Sequence, residues 1–237
     1  MHGNDMPPSA RRLLRGFSAL LLIVGCTAPP LQKNEVASLV QELFPAREPD
    51  QFRASGEATF SIDGEVHACG IEVKAAADTF RTEFYGPLGI PIGSISASVS
   101  SGRGFLRLRD KTHEFDLSQT VSMPSIGMNS SLTYGDMIRA LFGRVPPIYE
   151  DPLEKPADST INDREAITSL WKTDSIEFRV RIKKRTAAIS EFVSIYNDNE
   201  GRLLRMSSFK DGRASKIEVR ESDGNYFSIT YSKVKRY

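Results

Sequence analysis

The sequence predicts one mainly antiparallel β domain with a few helices, and three observations carry that prediction. From Ile176 to Ile182, apolar residues alternate with Glu177, Arg179 and Arg181, the period of a strand with one buried and one wet face. Asp63-Gly64, Asp211-Gly212 and Asp223-Gly224 separate further runs of this kind, and such pairs suit tight hairpin turns because glycine accepts positive φ. Helical periodicity is confined to two short stretches, near the start and the middle. At 237 residues and 40% hydrophobic, the chain is long enough to bury one sizeable core.

At the N-terminus, Arg11, Arg12 and Arg15 precede the apolar run "GFSALLLIVG", far shorter than the roughly 20 residues a membrane-spanning helix needs. This is the pattern of an export signal. Its end, Ile23-Val24-Gly25-Cys26, resembles the bacterial lipobox, in which the cysteine is acylated after cleavage. The expected organisation is a lipoprotein signal peptide over 1–25, a lipidated tether over 26–33 and a single domain over 34–237. The resemblance implies a covalent diacylglyceryl lipid on Cys26 with a further acyl chain such as palmitate, and two or three chains hold a protein stably where one does not. Thr27 after the cysteine favours the outer membrane, by analogy with enterobacterial sorting. With Cys26 lipidated, only Cys69 remains, so no internal disulfide is expected.

From Asn34, residues Val36, Leu39, Val40, Leu43 and Phe44 recur with helical spacing, with Asn34 placed to cap the helix and Pro45 to end it. Strands are then predicted over "RASGEATFSI", "EVHACGIEVKA", "TFRTEFY", "IGSISASVS", "GFLRLR" and "HEFDL". Near residue 133 the period changes. Thr133 and Asp136 form a capping-box pair, Leu132 and Met137 hold hydrophobic-staple positions, Ile138, Leu141 and Phe142 continue the apolar stripe, and Gly143 stops it. Residues 144–160, with Pro146, Pro147, Pro152 and Pro156, read as a long irregular connection of the kind used for lids and binding loops. The last third predicts strands over 176–182 and near 189–196, 202–209, 214–221 and 226–232, which brings the total to about 10 or 11.

Lys plus Arg number 31 and Asp plus Glu 30, so no overall field marks a nucleic-acid binder. Residues 176–237 hold fourteen bases and eight acids, a basic strand surface. His67 and His113 lack partners at zinc-site spacing. Ser207 and Lys210 match a Ser-x-x-Lys spacing but lie on a strand, where the helical turn that this chemistry needs is absent. Gly102-x-Gly104 lacks the rest of a phosphate loop. The expectation is a protein that is not an enzyme, with no metal, no nucleic acid and no cofactor beyond the lipid on Cys26.

One stretch departs from ordinary loop composition: "YGPLGIPIG", residues 85–93, places Leu88 between Pro87 and Gly89 at a turn, where an inward direction is hard to arrange. Ile90 and Ile92 have the spacing to point inward from the strand that follows. Pro87-Leu88-Gly89 after "TFRTEFY" resembles the loop that follows the third strand in the LolB family. "DMIRALFGRVP" is similar to that family's short helix ending in Gly and Pro, and "SKIEVRESDGNYFSITYSKVKRY" to its final hairpin. The resemblance implies an open antiparallel half-barrel with helices covering an apolar concave face that accepts acyl chains. It further implies a monomer on the periplasmic face of the outer membrane, whose partners are a periplasmic lipoprotein carrier, client lipoproteins and membrane lipid. Pro87, Leu88 and Gly89 become a membrane-insertion loop that promotes delivery. A tryptophan common on the family's second strand is Glu72 or Val73 here, and the one near its helix end is missing. Two other readings stay open: a protein of the same fold that binds another lipid or glycolipid, and a structural lipoprotein of envelope assembly.

Overall fold

Hydrogen bonds join thirteen strands into one antiparallel sheet in the computed structural model. It describes residues 33–44, 51–62, 65–76, 78–108, 111–123, 128–196, 202–220 and 226–236, all within the unit Gln32–Tyr237. The expected signal peptide, Cys26 and the tether lie outside the described residues, as do the turn residues Asp63, Gly64, Asp223 and Gly224.

The first half of the sheet is a meander of β1 (Gln51–Ile62), β2 (Glu65–Ala76), β3 (Thr79–Tyr85), β4 (Pro91–Ser98), β5 (Arg103–Leu108) and β6 (Lys111–Asp116). A separate hairpin follows, β7 (Thr120–Met123) with β8 (Met128–Thr133). The second half is β9 (Ser159–Asn162), β10 (Ala166–Lys172), β11 (Ile176–Lys183), β12 (Ala188–Tyr196), β13 (Leu203–Lys210), β14 (Arg213–Arg220) and β15 (Tyr226–Arg236). The two meanders meet where β1 pairs with β15, from Phe52 opposite Arg236 to Ser61 opposite Tyr226. β6 and β9 are the two edges, so the sheet is an open half-barrel, as expected.

Against the predicted 10 or 11 strands, fifteen are present among the described residues, thirteen of them in the large sheet; the hairpin strands β7 and β8, and β9 and β10 in the sheet, fall outside the predicted runs. β9 is four residues, "STIN", too short to show a period. β10 has Ala166, Ile167, Ser169 and Trp171 buried, so burial does not alternate cleanly along its first residues and hydrophobic alternation cannot reveal it.

The inner face carries the core. One row crosses eight strands in register: Ser169, Val180, Phe192, Met206, Ile217, Ile229, Ala58 and Cys69. Every member is buried, and burial of a large apolar side chain stabilises by about 1.5–3 kcal/mol before the cost of ordering it.

Helices cover this row. α1 spans Lys33–Gln41, with Asn34 in its first turn. Val40 and Leu43 are its buried contacts, set against β12 and against α3 (Glu150–Glu154). α2 (Tyr134–Leu141) has the predicted capping box: the Thr133 hydroxyl accepts from the Asp136 amide at 3.1 Å. Leu132 and Met137 are both buried beside it.

Residues 144–160 are not an irregular excursion. A 3-10 turn over Pro147–Tyr149 leads into α3, and Tyr149 is fully buried between Phe178 and Phe192 at ring separations of 5.4 and 5.6 Å. The prolines end helical turns and start new ones, and the aromatic anchor holds the segment down. Trp171 completes the anchor by donating Nε1–H to the Lys155 carbonyl at 2.8 Å.

After α2 the chain is clasped to the β13–β14 turn. Phe142 packs edge-on against Phe52 and Phe80 at 5.6 and 4.6 Å. Arg213 donates to the Phe142 carbonyl, Arg144 to the Gly212 carbonyl, each at 3.0 Å, and the Ala214 amide to the Gly143 carbonyl at 2.8 Å. The Tyr231 hydroxyl donates to the Leu141 carbonyl. Gly143 has φ 71°, and a Cβ there would lie 2.2 Å from the Ala214 carbonyl oxygen, so only glycine fits.

Candidate membrane-facing loop

The β3–β4 connection is built to project side chains. Gly86 is extended, and Pro87 sets the first φ of a 3-10 turn over Pro87–Gly89. Leu88 follows with φ 62° and ψ 16°, and Gly89 with φ 74°. The left-handed region is unfavourable for leucine by about 1–2 kcal/mol, whereas Gly89 adopts it freely. The neck is closed by Gly86 N–H donating to the Ile90 carbonyl at 2.8 Å, and Gly89 N–H donates to the Gly86 carbonyl at 3.2 Å. The amides of Gly86, Gly89 and Ile90 all bond to carbonyls of the loop itself, so its shape does not depend on side-chain burial.

Leu88 is 98% exposed, Ile90 60% and Ile92 39%. The inward direction that strand spacing allowed for Ile90 and Ile92 is not what the fold adopts. Tyr85 pairs with Pro91 and Phe84 with Gly93, so Ile92 is the extra residue of a bulge, and such a residue breaks the alternation that sequence spacing assumes. The exposed apolar patch is therefore three residues wide along the chain. Its bulge leaves no signal in the sequence.

Strand direction places other apolar residues at the same end of the sheet. β2 starts and β5 finishes at the end where the loop lies, and Val66 and Leu108 are both exposed there.

Below the loop, the outer face of β1 to β5 is charged. Arg53 and Lys74 both pair with Glu72, Lys74 at 3.1 Å, and Arg81 pairs with Glu83 at 2.6 Å. The Tyr85 hydroxyl donates to the other Glu83 oxygen, and that bond with the carboxylate, aided by burial, pushes the phenol up to about 12. The same bond first, opposed by burial and helped by Arg81, holds the Glu83 carboxyl below its ordinary value. Burial pulls Glu72 upward, but Lys74 and Arg53 outweigh it and hold it low. A groove of about 310 Å³ opens between this network and the loop, lined by Arg81, Tyr85, Ile92, Ser94 and Arg107 among others.

On the opposite face, a smaller cleft of about 180 Å³ lies between α1 and α3, with Val40, Phe44 and Leu153 as its apolar walls and Gln41, Glu150 and Glu154 as polar ones. Glu72 and Val73, which occupy the place of a family tryptophan, separate by strand alternation: Val73 is buried on the inner face and Glu72 belongs to the outer network.

Three solved structures share the fold. A DUF1329 family protein from Desulfovibrio piger aligns over 86% of this chain and 91% of its own, at 12% identity and a TM-score of 0.53. A domain described as an outer membrane lipoprotein-sorting protein, from Vibrio parahaemolyticus, aligns over 86% and 93%, at 14% identity and 0.51. A LolA superfamily protein from Nitrosomonas europaea aligns over 90% and 94%, at 11% identity and 0.50. Identities this low speak for the fold alone, and that fold is LolA-like. No protein-family model and no curated protein matches the chain. Among the described residues no helix is long and apolar enough to cross a membrane.

Proposed function

We propose that this chain is a LolB-type lipoprotein: anchored to the periplasmic face of the outer membrane by a lipid on Cys26, it accepts the acyl chains of client lipoproteins from a periplasmic carrier and promotes their insertion. The work is binding and transfer, without an enzymatic step and without a cofactor other than the covalent lipid. The observation that supports it best is Leu88, held 98% exposed in a left-handed conformation at the tip of a self-contained loop. A folded domain gains nothing for its own stability from that arrangement. A lipid surface does: moving the exposed parts of Leu88, Ile90 and Ile92 out of water is worth at most roughly 3–6 kcal/mol.

In this reading the apolar inner face receives the acyl chain. α2, α3 and the turn between them occupy that face, and a chain enters as they yield, beginning at the cleft between α1 and α3. The experiment is transfer of an acylated lipoprotein from its carrier to liposomes. Leu88→Glu should still bind the lipoprotein and fail to deliver it; delivery equal to that of the native chain would overturn the role of the loop.

Glu72 favours a second reading. The family's aromatic position carries, on the outer face, a carboxylate paired with Arg53 and Lys74, so a chain of this fold could bind another lipid or glycolipid. Mass spectrometry of lipids that co-purify with the protein separates the two, since a defined non-protein lipid appears only in the second.

A further inference from the structure

The groove between the loop and the charged outer face lies apart from the apolar inner face, and its chemistry differs from that of the inner face. Its volume is about 310 Å³. Arg81 and Arg107 flank it, Ser94 and Tyr85 add hydroxyl groups, and Ile92 forms the wall shared with the loop. Glu83 also lines it, but its two oxygens are occupied by Arg81 and by the Tyr85 hydroxyl. No ion pair among the described residues engages Arg107. Across the outer face of β1 to β5, the bases Arg53, Lys74, Arg81 and Arg107 stand with the acids Glu57, Glu72 and Glu83, and Arg103 is paired with Glu114 of β6, so the patch keeps a small positive excess and Arg107 is the cation available to an incoming anion.

Position sets what that anion is. Arg107 lies opposite Ser94 in the ladder, and at about 3.3 Å per residue the groove spans roughly 7–13 Å along β4 from Ile90. The headgroup layer is about 5–8 Å deep on each side of the hydrocarbon. With Leu88 and Ile90 in the acyl region, the groove therefore sits among headgroups, and the flexible arginine side chains reach toward phosphate as interfacial arginines do.

We propose that this groove binds the phosphate headgroup of an anionic phospholipid, with Arg107 as the principal cation, Arg81 and Ser94 as supporting donors, and Ile92 against the start of the acyl chain. The proposal rests on the membrane-facing reading of the loop and names the lipid class that the loop meets. It gives the loop an orientation: Leu88 enters the bilayer while the β4–β5 outer face is drawn to anionic headgroups.

The test uses the full chain in a neutral detergent, titrated with dihexanoyl phosphatidylglycerol, dihexanoyl phosphatidylcholine or inorganic phosphate, and reads hydrogen-exchange protection over residues 91–94 and 103–108. Phosphatidylglycerol should protect at concentrations about fivefold lower than phosphatidylcholine, the ratio that one interfacial arginine supplies. Arg107→Glu should abolish the preference and Arg107→Ala should reduce it, with thermal unfolding unchanged in at least the alanine variant. Equal protection by both lipids, a preference that survives both variants, or full protection by inorganic phosphate alone would each overturn the proposal. Leu88→Glu keeps the two ideas apart. If that variant fails to deliver lipoprotein while the native groove shows no preference for phosphatidylglycerol, the loop reading stands and the groove proposal falls.

Discussion

Leu88 shows how much one residue can reveal when conformation and exposure are considered together. Its φ of 62° and its 98% exposure each carry a free-energy cost, and neither is offset by a contact within the domain. Leu88→Gly should therefore leave stability unchanged or raise it by up to about 1 kcal/mol, because relief of left-handed strain opposes the greater unfolded-state freedom of glycine. Denaturant midpoints would show this, while liposome delivery by the same variant should fall. Tyr85 makes a second prediction. The Glu83 carboxyl is held low, so its network contributes stability above the ordinary value of 4.5 that is lost as pH falls through the depressed one. In Tyr85→Phe that loss should be smaller and complete at a higher pH, because the carboxyl is less depressed. Tyr85 itself is raised, so its contribution is present below 10 and lost as pH rises toward about 12, and the variant should lose this alkaline step. Unfolding midpoints across both limbs would check the two shifts.

Among the elements, the segment from α2 to α3 decides whether the inner face is covered. Its first half announces itself in sequence: Thr133 and Asp136 cap, Leu132 and Met137 staple, and Gly143 stops. Its second half does not, because prolines at 146, 147, 152 and 156 disguise a 3-10 turn and a short helix as a loop. What pins it is the packing of Tyr149 between Phe178, met edge-on, and Phe192, met at a tilt, residues too distant in the chain for any local pattern to connect. The clasp at Gly143 is equally tight. Gly143→Val should cost roughly 2–4 kcal/mol, from a left-handed β-branched residue and a clash with the Ala214 carbonyl. A lowered unfolding temperature, with faster hydrogen exchange in α2 than in β11 to β13, would locate the damage at the clasp.

For the whole molecule, the row from Ser169 to Cys69 ties both meanders into one core. Phe192→Ala, third in that row and beneath Tyr149, should cost about 3–5 kcal/mol and loosen α3 as well as the sheet, seen as a loss of stability in chemical denaturation. The sequence by itself determined that this is an antiparallel β domain with a capped helix in its middle, because period-two burial and capping chemistry are local and survive without partners. It also marked Leu88, since Pro and Gly on either side of a leucine signal a turn regardless of what the turn packs against. Only the tertiary structure decided that Ile90 and Ile92 are exposed with it. A bulge depends on the register between β3 and β4, and register is a relation between two segments that neither encodes alone. The same reason hid β9 and β10: a strand as short as β9, or one buried without clean alternation like β10, takes its identity from the neighbour it pairs with. The groove beside Arg107 belongs to that category too, since its walls come from β3, β4 and β5 and exist only once those strands lie side by side.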